Sequence, residues 1–538
     1  MEGLELVVLL GATILIGALV APRIRVATPL LLVVFGLLLG CIPALGAVEL
    51  PPETVLLLFL PVLLFWESLT SSLRSIRRDF RGVALMSTLL VVASAFAVAG
   101  VAHLMGLAWG AALILGAAVA PPDATAVSAL GRMLPRRNFM LLKAESLTND
   151  GTALVIYSIA VGTAVGGNYT PLNITGLVLL SYLGGIAAGA AVAGIAFVVM
   201  RRIRDALLIN VCLLLAPFAA FLLAESVGAS GVLAVVVAGL IISFSVARIS
   251  TAGSRRQTEA AWPLGTFLLN GALFVLIGLQ VPHLLAEISA DRIGWLVLMS
   301  VAAWLVLIAV RFLFQNAAIA GIRLLEWRSS RRTNFISYRA RIVSAFSGFR
   351  GAVSLAIALS VPMTVASGDP FPDRNDIIVV TAGVIILTLL VQGPLLPAVV
   401  KWARFPADTS AGEELRLAEH VLRHAARDAL ADVVEEHHID DADRDRLARD
   451  YIHDDGDQWT ALHGADPEDT AGELPVAPTR EDRTSRYAAA GLTLIDRQRE
   501  ALVRLRREGT IDDTVSRTLQ NRLDVEEIRL TSGDPHQS

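Results

Sequence analysis

Asp150 closes the run Glu145-Ser-Leu-Thr-Asn-Asp150, inside an apolar stretch long enough to cross a bilayer. A charge at the centre of a bilayer costs about 2.5–3.5 kcal/mol even on permissive insertion scales, so an ionisable residue there marks a functional site by default. Asp123 lies in Ala-Pro-Pro-Asp-Ala-Thr-Ala, Glu67 in Phe-Trp-Glu-Ser-Leu and Arg350 in Ser-Gly-Phe-Arg-Gly-Ala. Lys143, Glu225 and Arg311 are the remaining ionisable residues of this kind. Lys143 and Glu225 fall near the ends of their runs and can snorkel to the interface, which favours a structural role. Arg311 fits either role. Asp123 and Asp150 lie well inside theirs, among small and polar neighbours suited to a wet cavity.

Spacing then groups the ligands. Ser146 and Asp150 are four residues apart and share a helix face, and Glu145 and Asn149 share a neighbouring face. The first face offers hard oxygen ligands for a small hard cation. The second offers a carboxylate that could pair with Arg350 and an amide that could brace the segment around Asp123. A lone buried carboxylate is unstable as an anion and relieves that by taking a proton or a cation, but not both. That competition is the chemistry of exchange.

The elements positioning these residues are membrane spans. Apolar residues make up 54% of the 538-residue chain and charged ones 17%, an excess and a deficit for a soluble domain. A spanning helix needs roughly 20 apolar residues. Spans are expected at about 4–21, 28–45, 53–70, 83–105, 107–131, 139–165, 173–200, 206–227, 230–246, 262–281, 294–322, 342–366 and 376–400. The fold class is therefore an all-α polytopic membrane protein with 13 transmembrane helices. Alternate loops carry arginines, beginning with Arg23/Arg25, Arg74/Arg77/Arg78/Arg81 and Arg132/Arg136/Arg137, and ending with Arg323/Arg328/Arg331/Arg332/Arg339/Arg341. The positive-inside rule puts these loops in the cytoplasm, the N-terminus outside and the C-terminal tail inside. The start, Met-Glu-Gly-Leu-Glu, lacks the basic residues of a cleavable signal. Pro121 and Pro122 interrupt the fifth span, and Ser347–Gly351 interrupts the twelfth. Spans seven apart run in opposite senses, so spans 1–6 and 8–13 can form two inverted repeats. Matched broken helices in two such halves point to a transporter's midplane site.

These segments resemble a known family. Ala120-Pro-Pro-Asp-Ala-Thr-Ala-Val127, Glu145-Ser-Leu-Thr-Asn-Asp150 and Phe349-Arg-Gly-Ala-Val-Ser-Leu355 look like the signatures of bacterial sodium/proton antiporters of the monovalent cation:proton antiporter-1 family. The resemblance covers about residues 1–405. It implies a homodimer with spans 5, 6, 12 and 13 in a mobile core. It implies Asp150 as the ion- and proton-binding carboxylate, Ser146 as a cation ligand beside it, and Asp123 acting through water or structure. The Pro122 carbonyl is implied as a further ligand and Glu67 as an added acid. Glu145 and Arg350 are implied as a buried ion pair. Asn149 stands where electrogenic relatives carry a second aspartate, which implies electroneutral exchange. The sequence departs from many relatives in having two prolines before Asp123 and Ala124 after it.

Residues 406–538 read as a helical cytoplasmic tail of regulatory type, with helices at about 410–453, 485–508 and 511–530 and a linker near 454–484. His420 and His424 share a face, but two histidines make a poor metal site. Net charge is only −4 and supports no nucleic-acid partner. Cys41 and Cys212 sit in apolar runs with no zinc spacing. No nucleophile triad, nucleotide loop or HExxH motif suggests an enzyme, and no cofactor is implied. The expected function is exchange of sodium, or lithium, for protons across the plasma membrane, with the cation, the proton and lipid as partners. A potassium/proton antiporter, a solute/proton symporter and a membrane sensor are the alternatives. A larger solute would need an aromatic-lined cavity, and a sensor would leave the midplane carboxylates without a role.

Overall fold

The computed structural model describes residues 3–24, 26–42, 52–71, 82, 84–123, 136–165, 170–203, 205–286, 288–326, 337–365, 368–405, 410–452 and 480–532. The arginines at 25, 74, 77, 78, 81, 132, 204, 328, 331 and 332, the last third of the fifth span and most of the expected linker lie outside them. The chain divides into two compact units, Met1–Ser250 with Thr258–Ala407, and Asp408–Ser538 with Thr251–Gln257.

Among the described residues, the first unit has helices as its regular elements, with one isolated β-bridge between Thr364 and Pro370. It opens with α1 (Gly3–Ile24), α2 (Thr28–Gly40) and α3 (Pro52–Leu69). A π-helical turn at Leu85–Leu90 runs into α4 (Val91–Leu104), followed by α5 (Trp109–Val119) and α6 (Arg136–Ala164). Helix α7 (Pro171–Leu179) continues through a second π turn into α8 (Gly185–Arg202). Then come α9 (Ala206–Ser226), α10 (Gly231–Ile249), α11 (Ala252–Ala286) and α12 (Ala290–Glu326). Two short helices follow, α13 (Tyr338–Phe346) and α14 (Ala352–Leu359). Helix α15 (Arg374–Leu387) passes through a third π turn into α16 (Gly393–Ala403).

Seven helices among the described residues are long and apolar enough to cross a membrane, and shorter apolar helices accompany them. Leucines such as Leu19, Leu215, Leu222 and Leu298 are exposed, as a lipid-facing surface requires. With no water to satisfy backbone groups, internally bonded helices are the stable answer.

Small residues let the helices approach. A Cβ on Gly116 of α5 would run into the Ala95 carbonyl of α4, and one on Gly278 of α11 into the Val33 carbonyl of α2. Two apolar cores result. One gathers Ile114 and Leu115 of α5, Leu355 and Ile357 of α14, and Ile377 and Val380 of α15. The other gathers Leu60 and Phe65 of α3, Ala193 of α8 and Val235 of α10. Helix α6 serves both. It sends Ala153 and Tyr157 into the first, and Ala144 and Leu147 into the second.

The second unit holds α17 (Ser410–Glu436), α18 (Asp441–Tyr451), α19 (Arg480–Glu508) and α20 (Asp513–Ser532). The single helical stretch expected over 410–453 is two helices. His438 adopts a left-handed conformation at φ 52°, and Asp440 caps α18 by accepting from the Asp443 amide at 2.8 Å. Leu422, Leu447, Leu494, Leu502 and Leu519 form its core. Beside that core, Asp524 accepts two hydrogen bonds from Arg255, at 2.6 and 2.5 Å, and one from Arg499 at 2.6 Å. Burial alone would push the Asp524 carboxyl up, but the Arg255 hydrogen bonds and the charges of both arginines outweigh it and hold the group below its ordinary value. A depressed carboxylate stabilises the folded state fully above the unfolded pKa, about 3.9, and loses that contribution as pH falls through the folded pKa. Asp524→Asn is expected to remove about 1.5–3 kcal/mol at neutral pH, seen as faster amide hydrogen exchange in α20. The difference from wild type should begin to shrink as pH falls below about 4 and vanish only once pH is below the folded pKa. Equal protection of the two proteins at pH 7 would rule this out.

Candidate functional site

The two interrupted segments meet at their breaks. Helix α5 ends at Val119, with Ala120 still in helical torsions at φ −65° and ψ −45°, because Pro121 and Pro122 supply no backbone donor to carry the ladder on. Its last carbonyls therefore have no helical partner. Arg350 supplies one. Its Nε donates to the Val119 carbonyl at 2.8 Å, one Nη donates to the Ala120 carbonyl at 3.2 Å, and the other to the Gly348 carbonyl. In return, the Asp123 amide donates to the Phe349 carbonyl at 2.7 Å. The Asp123 side chain lies against Gly351, the N-cap of α14, where a Cβ would overlap its carboxylate. Gly351 has no capping side chain of its own, so the anion at this helix N-terminus comes from Asp123. Each break thus sets a charge at the helix end that favours it: a cation on carbonyls, an anion at amides.

Helix α6 passes beside this crossing. Asn149, fully buried, donates from Nδ2 to the Pro122 carbonyl at 2.8 Å. Its Oδ1 is buried and accepts no hydrogen bond from any described residue. Ser146 and Asp150 are 3% and 4% exposed. Ser146 hydrogen-bonds the Glu67 carboxylate of α3, and Glu67 also feels the charges of Asp123 and Lys143. Asp150 in turn feels the charges of Asp123 and Glu67. Asp150, Ser146, Asp123 and Glu67 therefore occupy one neighbourhood, with the Pro122 carbonyl at its edge. Carboxylates that feel one another's charge in an apolar surrounding favour uptake of a proton or a cation, although no three of them converge as a metal-ligating group among the described residues.

Glu145 corrects the sequence reading. Its partner is Arg311 of α12, not Arg350. The guanidinium donates to both carboxylate oxygens, at 2.6 and 2.8 Å, and to the Ser344 carbonyl at 2.9 Å. Gln315, one turn on, donates to the Ser344 hydroxyl at 2.7 Å. Glu145 and Arg311 are both almost fully buried. Arg350 is committed to backbone carbonyls, because the two prolines leave carbonyls that need a donor more than Glu145 does. The mid-span position of Arg311 was the available signal, but sequence alone did not give its rotation about α12. Glu225 accepts from the Gly231 amide at 3.2 Å, bridging α9 and α10. His420 and His424 stand with ring centroids 4.5 Å apart, and no group of three metal-ligating side chains occurs among the described residues.

Residues 10–402 match the family described as sodium/hydrogen exchanger, transmembrane. The chain belongs to this family. It is a multi-pass membrane protein of the bacterial monovalent cation:proton antiporters. It is 40% identical, over 531 residues, to an uncharacterised Na+/H+ exchanger of Mycobacterium tuberculosis, covering 98% of this chain and 96% of the relative. It is 32% identical over 394 residues to a sodium, potassium, lithium and rubidium/H+ antiporter of Bacillus pumilus, covering 69% of this chain and 57% of that one. The fold is that of the sodium proton antiporter MjNhaP1 from Methanocaldococcus jannaschii, with a TM-score of 0.57 and 19% identity over 74% of this chain and 99% of that one.

Removing one partner of a buried pair costs roughly 3–5 kcal/mol, because the other charge is left uncompensated. Glu145→Gln and Arg311→Met are each expected to lower the melting temperature of the purified antiporter, and the reversed pair should recover part of the loss. An Arg311→Met protein that melts with wild type would show that the pair contributes nothing.

Proposed function

We propose that this antiporter exchanges sodium, or lithium, for protons across the plasma membrane, one for one, with Asp150 as the group that carries either ion. The observation behind this reading is the placement of Asp150 on one α6 face with Ser146, within the electrostatic reach of Asp123 and Glu67. A cation held there would take ligands from Asp150 and Ser146, from Asp123 and Glu67 directly or through water, and from the Pro122 carbonyl. A proton on Asp150 removes the charge that holds the cation, so each ligand displaces the other. Asn149 beside it carries no charge, and Asp123 is engaged at the α14 N-terminus. One titrating acid then carries one proton one way and one cation the other.

The wider arrangement belongs to the same proposal. Thirteen spans form two inverted repeats, with the N-terminus outside and a regulatory tail, residues 406–538, in the cytoplasm. Two copies pair as a homodimer, and spans 5, 6, 12 and 13 move as a body to give alternating access. Potassium is the second candidate cargo, since the Bacillus pumilus relative is named for sodium, potassium, lithium and rubidium.

Asp150→Asn should abolish sodium-driven proton flux in proteoliposomes while leaving the folded protein and its melting temperature near wild type. The amide cannot titrate, so full flux from the folded variant would end the assignment. Comparing sodium, lithium and potassium in the same assay fixes the cargo. For electroneutrality, proteoliposomes are clamped with potassium and valinomycin under a sodium gradient. The exchange rate should not change with imposed voltage. A steep dependence, or a sodium-driven current at symmetric pH, would mean net charge moves in each cycle.

A further inference from the structure

Lys143 stands three residues before Ser146 and seven before Asp150. Those intervals place all three on one stripe of α6. The Lys143 ammonium donates to the Thr70 hydroxyl at 2.9 Å. That hydroxyl lies 3.1 Å from the Glu67 carbonyl, so the ammonium is fastened to the helical turn that carries Glu67. The last turn of α3 has no basic residue of its own. Lys143 thus brings a fixed positive charge to the α3 C-terminus, where the helix dipole favours it. It does so on the stripe that holds the cation ligands, and Glu67 feels its charge. Among the described residues, the other charges of this neighbourhood are Asp123 after α5 and Asp150 on α6, while Glu145 of α6 is neutralised by Arg311. Helix α14 and the π turn at Leu85–Leu90, which also border α6, bring no charged side chain.

We propose that Lys143 is a resident cation that sets how tightly the carboxylate cluster holds its cargo. This rests on the exchange reading above. The cluster would carry an excess of negative charge around a single small cation, and a cluster that binds too tightly cannot release. A tethered ammonium offsets part of that charge without occupying the ligand positions. It weakens cation binding by like-charge repulsion, an effect that survives inside a protein because screening is poor there.

The test uses the full-length protein in proteoliposomes with sodium as the cargo, at an alkaline pH where protons compete least. Lys143→Met should lower the apparent KM for sodium by about threefold or more, with kcat unchanged or reduced as release slows. Lys143→Arg keeps the charge and should stay near the wild-type KM. If Lys143→Met does not fold, Lys143→Gln serves as the neutral variant. A neutral variant that melts lower but keeps the wild-type KM would show Lys143 to be a helix cap alone, and would overturn the proposal. Absence of sodium-driven proton flux in wild type is a different failure, since it removes the exchange reading and this inference with it.

Discussion

The arrangement depends on two broken helices exchanging charges at their crossing. Neither break satisfies itself. The carbonyls after α5 lack donors because of Pro121 and Pro122, and α14 begins at a glycine without a capping side chain. Arg350 comes from the second break to serve the carbonyls of the first, and Asp123 comes from the first to serve the amide end of the second. The Asp123–Phe349 backbone bond pins the two together. Two orphaned helix ends, the buried Arg350 and the half-buried Asp123, each costly alone, become one compensated unit. Asp150 can therefore sit among other carboxylates while the surrounding backbone stays ordered.

Helix α6 is held to this crossing from two sides. Asn149 ties it to the Pro122 carbonyl, and Glu145 ties it through Arg311 to α12 and α13. Its neighbouring face carries Ser146 towards Glu67 on α3, which packs in the other apolar core. Asp150 thus rides on an element anchored to the broken helices, while one acid near it belongs to a different packed layer.

Much of this was legible because membrane sequence is restrictive. A carboxylate in a long apolar run, a proline pair and a Gly-flanked arginine are each expensive in lipid, so they marked the candidate site in the sequence. Four-residue spacing grouped Ser146 with Asp150 and set Asn149 towards the first break, where its amide meets the Pro122 carbonyl. Partner choice was another matter. Glu145 faced two arginines, and only the rotation of α12 and the demand of the α5 carbonyls decide that Arg311 takes it. The π turns at Leu85–Leu90, Leu180–Gly184 and Thr388–Gln392 carry no proline and left no mark in the apolar pattern. In the tail, the break between α17 and α18 rests on His438, whose left-handed backbone a helical periodicity does not announce.

Gly351 has an unusual reason to be glycine. Its φ is −132°, a value any residue adopts, so torsion does not demand it. Room does. Asp123 is short and its backbone is held by Phe349, so its carboxylate has nowhere to retreat from an added methyl. Elsewhere in the membrane unit Gly100, Gly176 and Gly194 face open space and could gain a side chain without meeting a neighbour. Mutational drift through this protein is therefore uneven in a way that glycine content does not reveal. Glycines such as these three can take a side chain freely, whereas at position 351 a single added carbon would collide with the acid that joins the two half-helices.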